Sequence, residues 1–345
     1  MKISSFGFTK NKEEAKLYSI KNGNVEALVT DFGATLVKLI YTLSDGKTID
    51  TILGYDDVTG YEEGDKYFGA TIGRNANRIS NGSFVINDKE YKLYQNDMTN
   101  NLHSGPVGFD KMIWKVIEET ESSISFLLER PDMDQGFPGK ISVISKYSIT
   151  ADNGLVVTYK AVSDQDTIIN MVNHSYFNLN GEGSGNVLGH SIRIASDYYT
   201  PVDEKLIPTG VESVKGTPFD LNEFSVIGDK IDPDNAQMNL AGGGFDHNYV
   251  IRHSITEPCA EVKGDRLKLS VYTDLPGIQF YAGNCIGSAI GKGGNEYSKQ
   301  SGLCLETQFF PDSMNKAGVL PMFDSPVIKA GRVYFHETVY KLEEI

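Results

Sequence analysis

Two ionisable side chains stand in otherwise apolar segments, and their chemical types suit proton transfer. Glu306 lies in "LCLETQFF" and His174 lies in "NHSYFNLNG". Alternation along a strand would place Glu306 on the same face as Cys304 and Gln308. A carboxylate in so apolar a strand is costly unless it is paired or faces a polar cavity. If Glu306 and His174 share one cavity, they form an acid–base pair, so these segments predict general acid–base catalysis.

Other polar side chains are embedded in apolar or glycine-rich segments, which makes them candidates for ligand binding. The segments are "YFGATIGRNANRI", "NNLHSG", "GGGFDHNYV" and "LPGIQFYAGN", and the residues are Asn77, Arg78, His103, Asp246 and Gln279. Tyr176 would share the strand face of His174, because it lies two residues further along. Structural alternatives remain open, namely a surface ion pair for Arg78, a turn for Asp246 and core packing for Tyr176.

Several metal and phosphate motifs are present only in part. "GSAIGKGG" resembles a phosphate loop, but it has three residues between Gly287 and Gly291, and glycine follows Lys292. His247 and His253 lie six residues apart, which fits no common zinc site. "DPDNAQMN" lacks the glycine and the final glutamate of a calcium loop. The sequence therefore predicts neither a required metal nor a cofactor.

Composition restricts the class of partner and the cellular compartment. The formal charge is −14 and no run of Lys or Arg is present, so a nucleic-acid partner is not expected. The three cysteines Cys259, Cys285 and Cys304 have no paired spacing, which favours a reducing compartment, and Cys304 is expected to be an inert buried thiol. No signal-peptide core or apolar run of ~20 residues is present. We therefore expect a cytoplasmic protein with no membrane partner.

The elements that must position these residues are predicted to be strands. "ISVISKYSIT" alternates in polarity, and the following Asp152-Asn153-Gly154 indicates a type I′ hairpin. "VEALVTDFGATLVKLIYTL" predicts two strands interrupted at Asp31–Gly33, whereas "DDVTGYEEGD" and "NEFSVIGDKI" predict a turn or two of helix each. Strands do not alternate with helices and no linker is evident. The prediction is a single all-β domain over residues 1–345, with antiparallel sheets packed face to face.

Taken in order, the segments resemble the aldose 1-epimerases, which are also called galactose mutarotases. The likeness covers nearly the whole chain, through "GATLVKLI", "GRNANRI", "NLHSG", "GFPG", "NHSYFNLNG", "DYYTPVDEKLIPTG", "GTPFDL", "FDHNYV", "LPGIQFYAGN" and "LETQFFPDSMN". The resemblance implies a large antiparallel β-sandwich of the galactose mutarotase-like supersandwich type, with few short helices and a sugar cleft across one sheet.

The resemblance also implies roles for individual residues. It implies that Glu306 is the catalytic base and that His174 is the catalytic acid. It implies substrate binding by Asn77, Arg78, His103, Asp246 and Gln279. One position departs from the family pattern, because Ser104 stands where many members carry a glycine, and this difference could alter the loop beside His103.

The implied reaction interconverts the α and β anomers of free aldohexoses such as galactose and glucose. One group takes the proton of the C1 hydroxyl and another protonates the ring oxygen, so an acid and a base suffice. We expect each charge of the Glu306–His174 pair to keep the other group ionised, and the rate to vary between about pH 5 and 8. The expected partner is a free sugar, and the chain is expected to be a monomer or a homodimer.

Three alternatives to this activity remain. A hexose-6-phosphate 1-epimerase would need basic residues around the phosphate, and the cleft segments offer Arg78 alone. A non-catalytic carbohydrate-binding protein would not need Glu306 together with His174. A polysaccharide lyase or hydrolase would need a long groove and, for hydrolysis, two carboxylates of defined separation, for which Asp246 is the possible second.

Overall fold

Strands dominate the architecture, which is that of a computed structural model describing residues 2–251 and 254–345. Within these ranges the chain forms thirty strands and four short α-helices. The helices are α1 (Val58–Glu63), α2 (Ile227–Lys230), α3 (Ala236–Leu240) and α4 (Ser313–Lys316). In the part of the chain that is described, no helix has the length and apolar character needed to cross a bilayer.

The strands are, in chain order, β1 (Lys2–Phe8), β2 (Glu14–Asn22), β3 (Val25–Thr30), β4 (Thr35–Thr42), β5 (Thr48–Asp50), β6 (Thr71–Ile72), β7 (Arg78–Ile79), β8 (Ser83–Ile86), β9 (Lys89–Lys92), β10 (Asn101–Leu102), β11 (Lys115–Glu119), β12 (Ser123–Arg130), β13 (Ile141–Ile149), β14 (Gly154–Ser163), β15 (Thr167–Ile168), β16 (Val172–Asn173), β17 (Tyr176–Phe177), β18 (Ser191–Ile194), β19 (Tyr198–Thr200), β20 (Glu212–Ser213), β21 (Ser225–Val226), β22 (Asp246–Val250), β23 (Ala260–Lys263), β24 (Leu267–Thr273), β25 (Gly277–Tyr281), β26 (Ala289–Ile290), β27 (Glu296–Tyr297), β28 (Leu303–Gln308), β29 (Val327–Ile328) and β30 (Val333–Glu344).

Three antiparallel sheets contain most of these strands. The largest has nine strands in the order β11-β12-β13-β14-β30-β24-β23-β18-β21. The second has six strands in the order β17-β28-β25-β22-β19-β20, and the third is the meander β1 to β5. The all-β prediction is therefore confirmed, as is the prediction of only short helices.

The nine-stranded and six-stranded sheets pack face to face over one apolar core. Buried side chains of both sheets, such as Tyr147 and Phe280, belong to the same cluster, and the meander contributes residues such as Leu39. Direct contact between the sheets is visible where the Tyr340 hydroxyl donates to the Leu305 carbonyl oxygen at 3.1 Å. Burying a side chain like Leu305 contributes about 1.5–3 kcal/mol, so this shared core fixes the two sheets against each other.

Alternation along β28 separates the two faces of the six-stranded sheet. Leu303 and Leu305 point into the shared core. Cys304, Glu306 and Gln308 alternate with them and are also buried, at 0%, 2% and 0% exposed. The predicted face of Glu306 is confirmed, and its polar groups lie beneath covering loops instead of in solvent.

The hairpin between β13 and β14 forms, but its turn type differs from the prediction. Asn153 donates from its backbone N–H to the Thr150 carbonyl at 3.2 Å, and the Thr150 N–H donates to the Gly154 carbonyl at 2.8 Å. Within this turn only Asn153 has a positive φ, of 67°. A type I′ turn needs two consecutive residues with positive φ, so the type I′ prediction is wrong and the loop is one residue longer. The Thr150 hydroxyl supports this loop by accepting from the Gly154 N–H at 2.9 Å.

Lys292 of the phosphate-loop-like segment has a structural contact inside the protein. Its side-chain ammonium donates to the Val37 carbonyl at 2.9 Å, to Asp50 Oδ2 at 2.7 Å and to the Ile52 carbonyl at 2.6 Å. An ammonium has three donors, so none is left for a phosphate. Lys292 therefore connects the loop before β27 to β4, through Val37, and to the end of β5 and the residues after it, through Asp50 and Ile52.

We expect Lys292→Met to destabilise the protein by about 3 kcal/mol or more, because it leaves Asp50 without its cation in a largely buried position. Urea unfolding followed by circular dichroism measures this loss. The matched control is Lys329→Met, which breaks an ion pair of equal length to Asp166 in a lysine that is 65% exposed. The control should lose about 1 kcal/mol or less. Equal losses in both variants would contradict a structural role for Lys292.

Candidate active site

The polar face of the six-stranded sheet presents two rows of side chains that run across neighbouring strands. Residues directly opposite each other in antiparallel strands project from the same face, so the register determines both rows. The first row contains Asn248, Gln279 and Glu306. The second row contains Asp246, Tyr281, Cys304 and Tyr176. Strand pairing alone thus gathers residues from four separate parts of the sequence.

A cavity of about 300 Å³ lies over these rows, at the small end of the range for small-molecule sites. It brings together seven of the eight residues singled out from the sequence, which are Asn77, Arg78, His103, His174, Tyr176, Asp246 and Glu306. Gln279 does not line the cavity, but it contacts a residue that does, because its side-chain amide donates to Asp246 Oδ1 at 2.7 Å. The predicted residues therefore occupy one continuous site.

His174 and Glu306 face each other in this cavity, with His174 Nε2 3.7 Å from Glu306 Oε1. Both are buried, at 5% and 2% exposed. The backbone of His174 is fixed on both sides, because its N–H donates to the Ala70 carbonyl and its carbonyl accepts from the Gly69 N–H, each at 2.9 Å. Among the described residues, Glu306 Oε2 has no hydrogen-bond partner, so one carboxyl oxygen is free to accept from a ligand.

Burial, and not mutual attraction, dominates the protonation of this pair. Desolvation raises the pKa of Glu306 well above its ordinary value, the nearby Asp246 adds to the rise, and Arg78 opposes it. Desolvation also lowers the pKa of His174 to about 4, although a hydrogen bond to its own backbone opposes the fall. Both shifts run against the prediction that each group keeps the other ionised, because desolvation is the first cause of each. Both shifts favour the uncharged forms of the two groups in the unliganded site.

The remaining surroundings of His174 are aromatic rings and a thiol. Tyr176 stacks on the imidazole at 5.1 Å between ring centroids, with an angle of 25° between the planes. His103 and Tyr67 approach at 5.3 and 5.9 Å. The Cys304 sulfur lies 3.6 Å from Nδ1. Cys304 is buried as predicted, but it contacts His174 directly, which its position in the sequence did not reveal.

Two loops with left-handed backbone hold Asn77 and His103 against each other. Asn77 and His103 have φ angles of 58° and 51°. The Asn77 N–H donates to His103 Nδ1, and the His103 N–H donates to the Asn77 carbonyl, both at 3.2 Å. Because Nδ1 accepts, the Nε2 of a neutral His103 carries the hydrogen, and burial lowers the pKa of His103 well below its ordinary value. His103 is therefore a neutral hydrogen-bond donor.

Ser104 follows His103 and accounts for the departure from the family pattern. Its φ is 71°, in the region that favours glycine. Its hydroxyl accepts from the Asn75 N–H at 2.8 Å and donates to the Asn75 carbonyl at 3.0 Å. These two bonds tie the His103 loop to the chain before Asn77, so the serine is accommodated and adds a connection between the two loops.

Charged and amide side chains complete the far side of the site. Arg78 Nε donates to Asp97 Oδ2 at 2.7 Å, with an Arg78 side chain that is 13% exposed, so it is not a surface ion pair. Gln308 Nε2 donates to Gln279 Oε1 at 3.1 Å, which leaves the Gln279 amide to donate to Asp246. This chain fixes the orientation of the Asp246 carboxylate. Desolvation raises the pKa of Asp246, although Arg78 opposes the rise.

Reasoning from the sequence missed several residues of the site. Alternation placed Gln308 on the strand face of Glu306, but Gln308 was not singled out as a site residue. Tyr67 and Asp97 lie in loops, and no local pattern indicates that they approach His174 and Arg78.

One cluster offers possible metal donors, since atoms of His174, Cys304 and Glu306 lie within 4.8 Å of one another. The imidazole presents Nδ1 to Cys304 and Nε2 to Glu306, so the two neighbours contact different nitrogens of the ring. His247 faces the core, fully buried, and packs on Phe219 at 4.6 Å. His253, the other histidine of the suggested pair, lies outside the described residues.

Comparison with known proteins agrees with this geometry. The family model for aldose 1-epimerase matches residues 16–341. The galactose mutarotase of Bos taurus is 40% identical over 330 residues, covering 94% of this chain and 93% of that protein. The aldose 1-epimerase of Escherichia coli K12 is 36% identical, covering 94% of each chain.

Similarity extends to a solved structure, the GalM/aldose epimerase homologue from C. elegans. It superposes with a TM-score of 0.87 at 28% identity, covering 95% of this chain and 99% of that one. The sequence match and the shared fold both span nearly the whole chain. The chain belongs to the aldose 1-epimerase family.

Proposed function

We propose that Glu306 and His174 are the catalytic base and acid for anomer interconversion in this protein, with free aldohexoses such as galactose and glucose as substrates. As a family member the chain is an isomerase that interconverts the anomers of an aldose. Relatives named galactose mutarotase support galactose as a substrate. The observation that carries the residue assignment is the 3.7 Å approach of Glu306 to His174 within one buried cavity.

The proposed reaction moves two protons and returns the pair to its starting state. Glu306 carboxylate takes the proton of the C1 hydroxyl, while the His174 imidazolium donates Nε2–H to the ring oxygen. The C1–O5 bond breaks, and the open aldehyde turns about the C1–C2 bond. The ring then closes on the other face of the aldehyde with both proton transfers reversed. The pair carries one proton before ring opening and one proton after it.

The substrate supplies the reason for the proton to move from Glu306 to His174. In the unliganded site burial favours two neutral groups, whereas catalysis needs a carboxylate and an imidazolium. Both states contain the same single proton, so no exchange with solvent is needed. A sugar hydroxyl that donates to the unpartnered Oε2 of Glu306 would stabilise the carboxylate and thereby favour the imidazolium.

The other cavity residues would bind and orient the sugar. Arg78 and neutral His103 would donate hydrogen bonds to sugar oxygens, and Asp246 would accept from hydroxyls. Asn77 would act through its mutual bonds with His103. Tyr176 is 4% exposed and packs on Phe68 at 4.9 Å, so it would act mainly by holding the His174 ring and would offer only an edge to the sugar.

Charge in the cavity favours an uncharged sugar over a phosphorylated one. Its two cationic side chains both have anionic partners, since Arg78 pairs with Asp97 at 2.7 Å and Lys66 pairs with Asp65 at 3.0 Å. A further anion would also oppose formation of the Glu306 carboxylate that catalysis needs. A hexose-6-phosphate 1-epimerase is therefore the weaker alternative.

We also propose that the chain is a single cytoplasmic domain that binds no nucleic acid. One core cluster contains residues from Tyr18 to Leu342, which supports a single domain. The three cysteines are free, which suits a reducing compartment. A monomer or a homodimer remains the expected assembly.

Glu306→Gln and His174→Asn should each lower kcat about 10²–10⁴-fold while the protein stays folded, because each removes one partner of the proton transfer. Polarimetry on freshly dissolved α-D-galactose and α-D-glucose measures the rate, and circular dichroism checks the fold. Glu129→Gln, an exposed glutamate far from the site in sequence, is the control and should keep the parental rate. Parental rates in Glu306→Gln would show that the base assignment is wrong.

The pH profile of kcat/KM should show a broad plateau that includes pH 5 to 8, contrary to the variation expected from the sequence. As pH falls through about 4, His174 takes a second proton while Glu306 stays protonated, so no base remains and the rate falls. As pH rises through the raised pKa of Glu306, the pair loses its proton and no acid remains. A kcat/KM profile that instead changes once, near the ordinary histidine pKa of about 6.5, would contradict a pair that carries one proton across this pH range.

Infrared difference spectroscopy can locate that proton directly. In the unliganded protein at neutral pH, Glu306 should show the carbonyl band of a protonated carboxyl group, and this band should vanish in Glu306→Gln. Saturating galactose should weaken the band as the carboxylate forms. If the unliganded protein shows no such band, Glu306 is already ionised, and burial does not control its protonation.

Asp97→Asn should lower kcat/KM about tenfold, mostly through KM, because Arg78 loses the charged partner that orients its guanidinium. Initial-rate polarimetry at several galactose concentrations separates KM from kcat. Asp152→Asn is the matched control, since it breaks an ion pair with Lys341 at 2.8 Å outside the cavity. An unchanged KM in Asp97→Asn would mean that Arg78 does not need this partner.

A further inference from the structure

Cys304 contacts the proposed catalytic acid at Nδ1, whereas Glu306 faces Nε2. Its sulfur lies 3.6 Å from His174 Nδ1, within hydrogen-bond distance for sulfur. Both residues are buried, at 0% and 5% exposed. Cys304 lies opposite Tyr176 in the pairing of β28 with β17, so the same strand pair carries the sulfur and the ring that stacks on His174.

The proposed reaction determines which nitrogen of His174 must lose its proton. Nε2 faces Glu306 and the cavity, so Nε2 is the donor to the ring oxygen. After this transfer the neutral ring keeps its hydrogen on Nδ1. In the unliganded state, too, Nε2 is the nitrogen that faces Glu306, at 3.7 Å from Oε1, so a protonated Glu306 would favour the hydrogen on Nδ1. Nδ1–H therefore persists through the cycle and needs an acceptor.

We propose that Cys304 is a positioning residue for His174, whose sulfur receives Nδ1–H and thereby keeps Nε2 directed at Glu306 and the sugar. This inference rests on the proposed roles of Glu306 and His174. Tyr176 holds the face of the imidazole and Cys304 holds its edge, so together they oppose rotation of the ring in and out of its plane. Sulfur is a weak acceptor, which suffices to select one ring orientation in a buried site.

The thiol also leaves the imidazolium a strong acid. Many catalytic histidines place a carboxylate at the second nitrogen, and that charge stabilises the imidazolium. Here burial raises the pKa of Cys304 well above its ordinary value, so the sulfur stays neutral. The ring oxygen of a sugar is a very weak base, so a neutral partner that does not stabilise the imidazolium favours proton transfer to it.

Other side chains around His174 do not take over this contact. Glu306 faces Nε2, and the rings of His103, Tyr67 and Tyr176 lie against the imidazole at 5.1–5.9 Å between centroids. Arg78 and Asp246 line the same cavity, where they act on Glu306. Among these titratable and charged groups, Cys304 is the one with an atom at hydrogen-bond distance from Nδ1. The backbone of His174 is the other partner of the ring, and its carbonyl, which also accepts from the Gly69 N–H, can share Nδ1–H with the sulfur.

Three substitutions of Cys304 test the proposal. Cys304→Ala should lower kcat about tenfold with KM within about twofold, because the ring loses its fixed edge but sugar-binding groups remain. Cys304→Ser should recover part of this loss, since a hydroxyl can also accept from Nδ1–H. Cys304→Asp should shift the acid limb of the kcat/KM profile upward by about one pH unit or more, because an anion beside Nδ1 stabilises the imidazolium.

A second readout does not depend on turnover. Two-bond ¹H–¹⁵N spectra of the imidazole, assigned by the loss of the signal in His174→Asn, report which nitrogen carries the hydrogen. The parent should show the Nδ1–H tautomer, and Cys304→Ala should show a mixture of tautomers. Cys259→Ala is the control for loss of a buried thiol, since Cys259 donates to the Val271 carbonyl at 3.3 Å outside the cavity. It should keep the parental kcat and spectrum even if its stability falls.

The outcomes separate this inference from the proposed function. If Glu306→Gln and His174→Asn lose activity but Cys304→Ala keeps the parental kcat and tautomer and Cys304→Asp leaves the acid limb in place, only the positioning role is wrong. If Glu306→Gln keeps the parental rate, the acid–base assignment itself fails. If Cys304→Asp does not fold, the alanine and serine variants and the imidazole spectra still decide the question.

Discussion

The proposed chemistry depends on the buried approach of Glu306 to His174, across which one proton could be shared. Water is excluded from both groups, which shifts the pKa of the carboxyl group upward and the pKa of the imidazole downward. These shifts favour neutral groups, yet they leave the number of protons on the pair unchanged. An acid and a base that hold one proton between them can exchange roles during ring opening and closure. Desolvation therefore supports the reaction as long as the ligand can move the proton across 3.7 Å.

The six-stranded sheet provides the rigid part of this arrangement. Its strand register sets Glu306 beside Gln279, and Gln279 beside Asn248, so spacing between these side chains follows from backbone pairing. The opposite face of the same strands packs on the nine-stranded sheet through Leu305 and Tyr340. A displacement of Glu306 would thus disturb the shared core. This coupling explains how a carboxyl group with one unpartnered oxygen can be held in place.

Sequence alternation predicted part of the site that lies on strands. It assigned Glu306 to the face of Cys304, and the two-residue spacing put Tyr176 beside His174. Asn77 and His103, which lie in loops, stood out as polar side chains in apolar or glycine-rich segments, and the resemblance to the family implied their role in sugar binding. Alternation could not predict the direction of the pKa shifts, because these depend on loops that cover the strand face. It also could not predict Asp97, whose contact with the cavity arginine joins segments that share no local pattern.

Strain and rigidity are distributed differently over the two halves of the site. The acid and base stand on or next to strands, whereas the predicted sugar-binding residues Asn77 and His103 have left-handed backbone in loops. For residues other than glycine such conformations cost about 1–3 kcal/mol each, and they persist only where neighbours hold them. Here the two loops hold each other through the Asn77–His103 bonds and the Ser104 hydroxyl. The sheet thus fixes Glu306, the proposed base, while the two loops, which hold each other in place, fix the groups that would orient the sugar.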